Sequence, residues 1–208
     1  MRRIIFVYFF KFCRNYFRRI TNVIDYLLCY IVFYGQNIKF QDFKTKGLPF
    51  VSIALGGHCE IGSGFKMNNG LINNPIGSSN RCILFVDKGA KLKIGNNVGI
   101  SQTSIICHHH ITLGNFVKVG GGVRIFDTDF HAISPTIRKD SKLDHHYKSN
   151  RAVFIKDNVF IGAFSTILKG VTIGENSIVG ACSVVTKDIP DNEVWAGNPA
   201  KRIKSLTP

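Results

Sequence analysis

Residues 155–190 read IKDNVF-IGAFST-ILKGVT-IGENSI-VGACSV-VTKDIP, six blocks in which Ile155, Ile161, Ile167, Ile173, Val179 and Val185 return at a step of six. A lone helix repeats its faces every 3.6 residues and a strand every 2, so neither explains that step. A six-residue unit is one short strand plus one turn. It buries its aliphatic residue only when other coils stack above and below it, which makes the block a solenoid with three units closing each triangular coil.

Working outward, the same spacing appears at Ile94, Ile100 and Ile106, and again one residue out of register at Leu113, Val119 and Ile125. The stretch from Cys107 to His110 is expected to absorb that slip. Gly95-Asn96-Asn97, Gly114-Asn115, Asp157-Asn158 and Gly174-Glu175-Asn176 suit corners that need left-handed backbone. Residues 48–90 fit the repeat loosely and predict less regular coils. After Ile125 the rhythm breaks with FDTDFHAISPTIRKDSKLDHHYKSNRAVFI, so a polar loop is predicted over about residues 127–150. Loops that interrupt a compact framework often carry function.

The whole chain has 208 residues, 45% of them hydrophobic and 19% charged, which excludes a disordered polymer. Twenty Gly imply many tight turns. Twenty-seven basic against 13 acidic residues give a formal charge of +14 and favour anionic partners such as phosphorylated cofactors or an anionic membrane. About half of that excess lies before Lys46. The six Cys show no paired spacing, so free thiols and a reducing, cytoplasmic location are expected. The opening MRRIIFVYFF meets Lys11, Arg14, Arg18 and Arg19 at once, without a small-residue cleavage site, so export is not expected.

Between Lys11 and Asp25 the polar residues Lys11, Arg14, Asn15, Arg18, Asn22 and Asp25 recur every three or four positions, predicting an amphipathic helix. The apolar run Tyr26–Tyr34 is too short to span a bilayer, which needs about 20 residues. Residues 1–46 therefore read as a basic helical segment. It either packs on its own domain or its subunit neighbours, or lies peripherally in an anionic membrane interface. Its aromatics sit at helical core spacing and form no stacking platform, so no nucleic-acid partner is expected.

The stretch Val159–Lys201, VFIGAFSTILKGVTIGENSIVGACSVVTKDIPDNEVWAGNPAK, resembles the end of a maltose or galactoside acetyltransferase. From roughly Gly56 to Lys204 the chain resembles the hexapeptide-repeat acyltransferases. That resemblance implies an all-β solenoid, a left-handed parallel β-helix over 47–204 with a short tail at 205–208, assembled as a homotrimer. It also implies acetyl-CoA as co-substrate and a saccharide acceptor, either a polysaccharide precursor or a lipid-linked sugar.

By the same resemblance, Asp127-Thr128-Asp129-Phe130-His131 looks like the catalytic loop motif, with His131 as general base. A sugar hydroxyl is hardly ionised at neutral pH, and an imidazole with a pKa of about 6.5 is matched to taking its proton. Asp129 or Asp127 would orient His131 or bind a second acceptor hydroxyl, and His108 would face the acceptor. The oxyanion would be held by the main-chain N–H at the corner of Ala163. Phe160, Ala163, Ala181, Thr186, Lys187, Lys201 and Lys204 match donor-lining positions, and Lys187, Lys201, Arg202 and Lys204 would counter the phosphates. Phe160 stands where these enzymes commonly carry Trp.

The run His108-His109-His110 also raises a three-His zinc site, as in trimeric carbonic anhydrases of this fold. Adjacent strand residues point to opposite faces, so no metal is expected there. Acetyltransferases for an amino sugar, serine or an antibiotic, and a non-catalytic trimeric scaffold, remain as alternative functions.

Overall fold

The computed structural model describes residues 2–76 and 78–206. Its core is a left-handed parallel β-helix of three sheets, one per face of a triangular prism. The first face stacks Lys39–Phe40, His58–Ile61, Lys91–Ile94, His110–Leu113, Val153–Ile155 and Thr172–Ile173. The second begins at Phe43–Lys46 and the third at Phe50–Ile53, and each adds one parallel strand per coil through six coils. Strands of two to six residues are too short to accumulate the twist that makes ordinary parallel crossovers right-handed.

Inward-facing residues alternate along each strand, as in His58–Ile61 and Lys91–Ile94; each six-residue step moves to the next face, and three steps stack Ile173 on Ile155 and Val179 on Ile161. Ile155, Ile161, Ile167, Ile173, Val179 and Val185 are all at most 1% exposed. At the corner between first and second faces Asn97, Asn158, Asn176 and Asn192 all take positive φ, near 60°. Their carboxamides form a ladder, Asn158 to Asn176 at 3.1 Å and Asn176 to Asn192 at 2.9 Å. Asn tolerates the left-handed region and its side chain can bond its neighbour, which is why these corners select it.

The expected inward position Ile106 is a correction: Ile105 is the fully buried residue and Ile106 is only half-buried. Gln102 takes φ +47° and shortens the preceding corner by one residue, so the strand Ser104–Cys107 flips its alternation. The compensating extra residues lie in the turn at His108-His109.

The helical segment also departs from expectation. One helix, α1 (Arg2–Gly35), takes in both the amphipathic stretch and the apolar run after it, and a single helical turn, α2 (Gly70–Asn73), comes later in the chain. It ends with Asn37 at φ +53°, Ile38 N–H donating to Phe33 O and Asn37 N–H to Tyr34 O, the paired bonds of a Schellman stop. The solenoid then begins at Lys39, since Lys39–Phe40 and Phe43–Lys46 pair with the next coil. The boundary expected after residue 46 thus moves to residue 38. Two- and four-residue strands with Lys on their outer positions gave the sequence too little periodicity to read.

Cys29 and Phe33 of α1 are fully buried against Phe43 and close the open N-terminal end of the core. At the other end Glu193–Gly197 pairs parallel with Ile178–Val179 and antiparallel with Ala200–Ser205. Trp195 there packs on the last coil. All six Cys are free thiols, and burial pushes Cys82 to about 11 and Cys59 to about 12, well away from thiolate reactivity.

Candidate active site

The predicted loop leaves the third face after Arg124–Phe126 and returns at Val153–Ile155. Its neck is closed by the backbone. Asp129 N–H donates to Ser149 O, Arg151 N–H donates to Asp127 O, and Thr128 bridges Asn150. It carries two short helices, α3 (Pro135–Arg138) and α4 (Ser141–Tyr147), with no residue of either buried. The Asp140 carboxylate caps α4 by accepting from the Lys142 and Leu143 N–H groups.

Asp144, in the first turn of α4, meets His131. Its Oδ2 lies 2.7 Å from His131 Nδ1, and its Oδ1 accepts the Ala132 N–H. Hydrogen bonding from His131, then from Ala132, holds the Asp144 carboxyl below its ordinary range, so it is ionised at neutral pH. A carboxylate can only accept, so Nδ1 of the neutral ring carries the proton and Nε2 keeps the lone pair. The His131 side chain is 67% exposed while that of Asp144 is 14% exposed: an oriented imidazole held open to a second molecule.

The expected orienting residues are elsewhere. Asp127 is fully buried and accepts the N–H groups of His108, His109 and His110 at 2.7–2.8 Å, pinning the loop to the preceding coil. Both oxygens are committed there and none is left for an acceptor sugar. Asp129 pairs with Lys169 Nζ at 3.0 Å, tying the loop neck to the next coil. The three His therefore converge through their amides and not their rings. His108 Nδ1 meets Asp87 Oδ2 at 2.8 Å, His110 Nε2 meets Thr112 Oγ1 at 3.0 Å, and His109 is exposed. Among the described residues no group of three His, Cys, Asp or Glu side chains is arranged to hold a metal ion.

Phe130, the chain neighbour of His131, belongs to an aromatic shelf. Phe85 and Phe130 flank the His108 ring at 5.4 and 6.0 Å, and Phe126 meets Phe130 at 5.2 Å. Lys148 Nζ reaches His108 Nδ1 at 3.1 Å. Asp144, Lys148 and the shelf escaped sequence reasoning because only the folded path of the loop brings Asp144 to His131 and Lys148 to His108. The one available signal was the helix start at Asp140, which puts Asp144 inside α4.

The donor candidates fall on two different corners. Ala163 and Ala181 sit between the second and third faces, in a column with Gly121. Their coils approach so closely that a Cβ on Gly120 would lie 2.6 Å from Ala163 N, and one on Gly162 2.5 Å from Ala181 N. Phe160 stands on the second face between Lys118 and Ile178, 46% exposed. Thr186 and Lys187 lie between the third and first faces, on the same edge as the His131 loop. Lys201 and Lys204 are exposed on the final strand, and Arg202 Nε is paired with Glu193 at 2.7 Å. A third-face strand of about four residues at roughly 3.3 Å each separates the two corners, so one chain keeps them about 13 Å apart.

Phe164, beside Ala163, also went unread. It is an exposed aromatic at φ +60°, a conformation costly for a bulky residue, and Gly122 beneath it is fully cleared of side chain. Among the described residues no acceptor meets the Ala163 N–H.

Comparison with known proteins agrees with this architecture. Residues 152–187 match the family of bacterial transferase hexapeptide, six repeats. The chain is 42% identical over 113 residues to a galactoside O-acetyltransferase of Lactococcus lactis subsp. lactis, covering 50% of this chain and 51% of that protein. It is 33% identical over 124 residues to the galactoside O-acetyltransferase of Escherichia coli, covering 59% and 58%. The chain thus spans about half the length of the curated relatives it matches. Among solved structures it resembles a hexapeptide-repeat acetyltransferase of Vibrio cholerae O1 biovar eltor in complex with acetyl coenzyme A, at 29% identity and TM-score 0.51, covering 56% of this chain and 61% of that one. The likeness lies in the repeat and its coils: residues 152–187 carry the bacterial transferase hexapeptide repeat, and over about half of its length the chain is similar to galactoside O-acetyltransferases.

Proposed function

We propose that the protein is an acetyl-CoA-dependent O-acetyltransferase acting on a saccharide hydroxyl, with His131 as general base. The observation that carries this is the His131–Asp144 pair, a solvent-facing imidazole whose Nδ1 is fixed by an ionised carboxylate. Nε2 takes the proton of the acceptor hydroxyl as its oxygen attacks the thioester carbonyl carbon. The oxyanion that forms accepts a hydrogen bond from the Ala163 N–H. The C–S bond then breaks and the thiolate receives the proton from Nε2, so no acyl-enzyme is needed. Asp144 keeps the ring in one tautomer and stabilises the imidazolium between those two transfers.

The acceptor class follows from the shelf. A sugar ring presents an apolar C–H face and hydroxyls at its edge, which suits Phe85, Phe126 and Phe130 with Asp87 and Lys148 at the margin. The donor is assigned to the small-residue column at Ala163 and Ala181, with Phe160 and Phe164 as aromatic walls and Lys187, Lys201 and Lys204 near its phosphates. Because the column and the His131 loop lie on different edges of one chain, a closed homotrimer would join the loop of one protomer to the column of the next.

The test is acceptor-dependent thiol release from acetyl-CoA across a panel of galactosides, glucosides and amino sugars, beside calorimetric titration with CoA. Saturable CoA binding with release that depends on the sugar is the expected result. A protein that binds neither CoA nor acetyl-CoA contradicts it, and release only with an amine acceptor would redirect it to N-acetylation.

A further inference from the structure

The strongest feature outside the site is the face of α1 turned away from the solenoid. Ile5, Phe9 and Phe12 are followed eleven residues on by Tyr16, Ile20 and Val23, and again by Leu27, Ile31 and Tyr34. Each of the nine is 43–77% exposed. Eleven residues make just over three turns of an α-helix, so the stripe runs nearly straight along the roughly 50 Å length of α1.

The docking of α1 fixes where the stripe points. Asp25 Oδ2 accepts the Gly47 N–H at 2.7 Å, Gln36 Oε1 accepts the Ile53 N–H at 2.8 Å, and Phe33 is buried against Phe43. These contacts use the opposite side of the helix. The end of the β-helix is therefore closed on its inner side and presents an apolar strip on its outer side.

Charge selects the occupant. Residues 3–24 hold five basic side chains, Arg3, Lys11, Arg14, Arg18 and Arg19, and no acidic one. At about 3.6 residues per turn Arg19 stands just outside one edge of the stripe, while Lys11, Arg14 and Arg18 gather on the opposite, polar side, the arrangement of a helix whose basic face meets headgroups while its apolar face enters the acyl boundary. A bundle of this helix with its own copies would gather like charges with no carboxylate to answer them. A surface of anionic headgroups answers all five. No described helix is long and apolar enough to cross a membrane.

We infer that α1 is an interfacial anchor that lies flat on an anionic lipid bilayer, its eleven-residue apolar stripe in the acyl boundary and its basic residues at the headgroups. The β-helix then stands on the bilayer by its N-terminal end. The His131 loop follows the fourth coil, three coil spacings of about 4.8 Å above that end, or roughly 14 Å. The inference stands independently of acetyl transfer, which is measured separately with soluble sugars.

The experiment is sedimentation of the full chain with vesicles of phosphatidylcholine alone and of phosphatidylcholine with 30% phosphatidylglycerol, vesicle compositions set by the anionic-surface argument. The wild type is expected to bind the anionic vesicles at least about tenfold better, and to lose that preference in high salt. Phe9→Glu with Phe12→Glu should abolish binding. Lys11→Gln, Arg14→Gln and Arg18→Gln together should weaken it by roughly a hundredfold on anionic vesicles alone. Both variants should keep the thermal unfolding of the solenoid. The inference is overturned if the wild type binds neither vesicle. It is equally overturned if the Glu variant still binds while its oligomeric state changes, which would place the stripe between copies of the chain.

Discussion

The last two full coils and the loop that precedes them are built on opposite principles. From Val153 to Ile189 nearly every inward residue is buried to 2% or less, while between Thr128 and Asn150 only Thr128 and Ala132 are buried. The coils are held by apolar columns, the loop by carboxylates: Asp127 at its base, Asp140 at a helix start and Asp144 on His131. Stability and chemistry are thereby assigned to different regions, and each can be altered without the other.

The largest effect should come from the coil side. Ile161→Ala removes a fully buried side chain from the column and should cost about 2–5 kcal/mol, lowering Tm by roughly 5–15 °C in a thermal melt. Asp127→Ala couples the two regions. It orphans three N–H groups at the loop base, so about 3 kcal/mol of stability and most of the acetyl transfer should be lost together. Asp144→Asn belongs to the loop alone: acetyl transfer should fall by roughly 10²-fold or more with Tm unchanged. If Tm falls in step with activity there, the division between the regions is wrong.

How much of this was legible follows the same division. Ile155 to Val185 could be read because three apolar columns visited in turn enforce a six-residue step on the sequence. The slip at Ile105 could not, since it turns on a left-handed Gln102 whose amide Nε2 bonds the Gly70, Asn74 and Ser78 carbonyls of a distant excursion. In the loop, His131 could be singled out by resemblance, but its partner could not. Asp127 and Asp129 are nearer in sequence, and only the folded path of α3 and α4 brings Asp144 back over thirteen residues. The start of the solenoid at Lys39 was hidden for a third reason, the brevity of its strands.

The smallest effect is electrostatic. The Asn115 carboxamide, then its N–H, holds Asp157 below its ordinary value of 3.8. A carboxyl with a depressed folded pKa stabilises the fold above the unfolded value, and that contribution disappears as pH falls through the folded one. The Tm difference between wild type and Asp157→Asn should therefore be constant from neutral pH down to about 4 and vanish below it, a small shift visible only in melts across that range.

The most direct test of the central claim is acceptor-dependent thiol release from acetyl-CoA by His131→Ala beside the wild type, with the melt and CoA affinity of both proteins recorded. The account predicts unchanged unfolding and CoA binding with release reduced by roughly 10²–10⁴-fold. A His131→Ala protein that folds, binds CoA and transfers acetyl at the wild-type rate would contradict it.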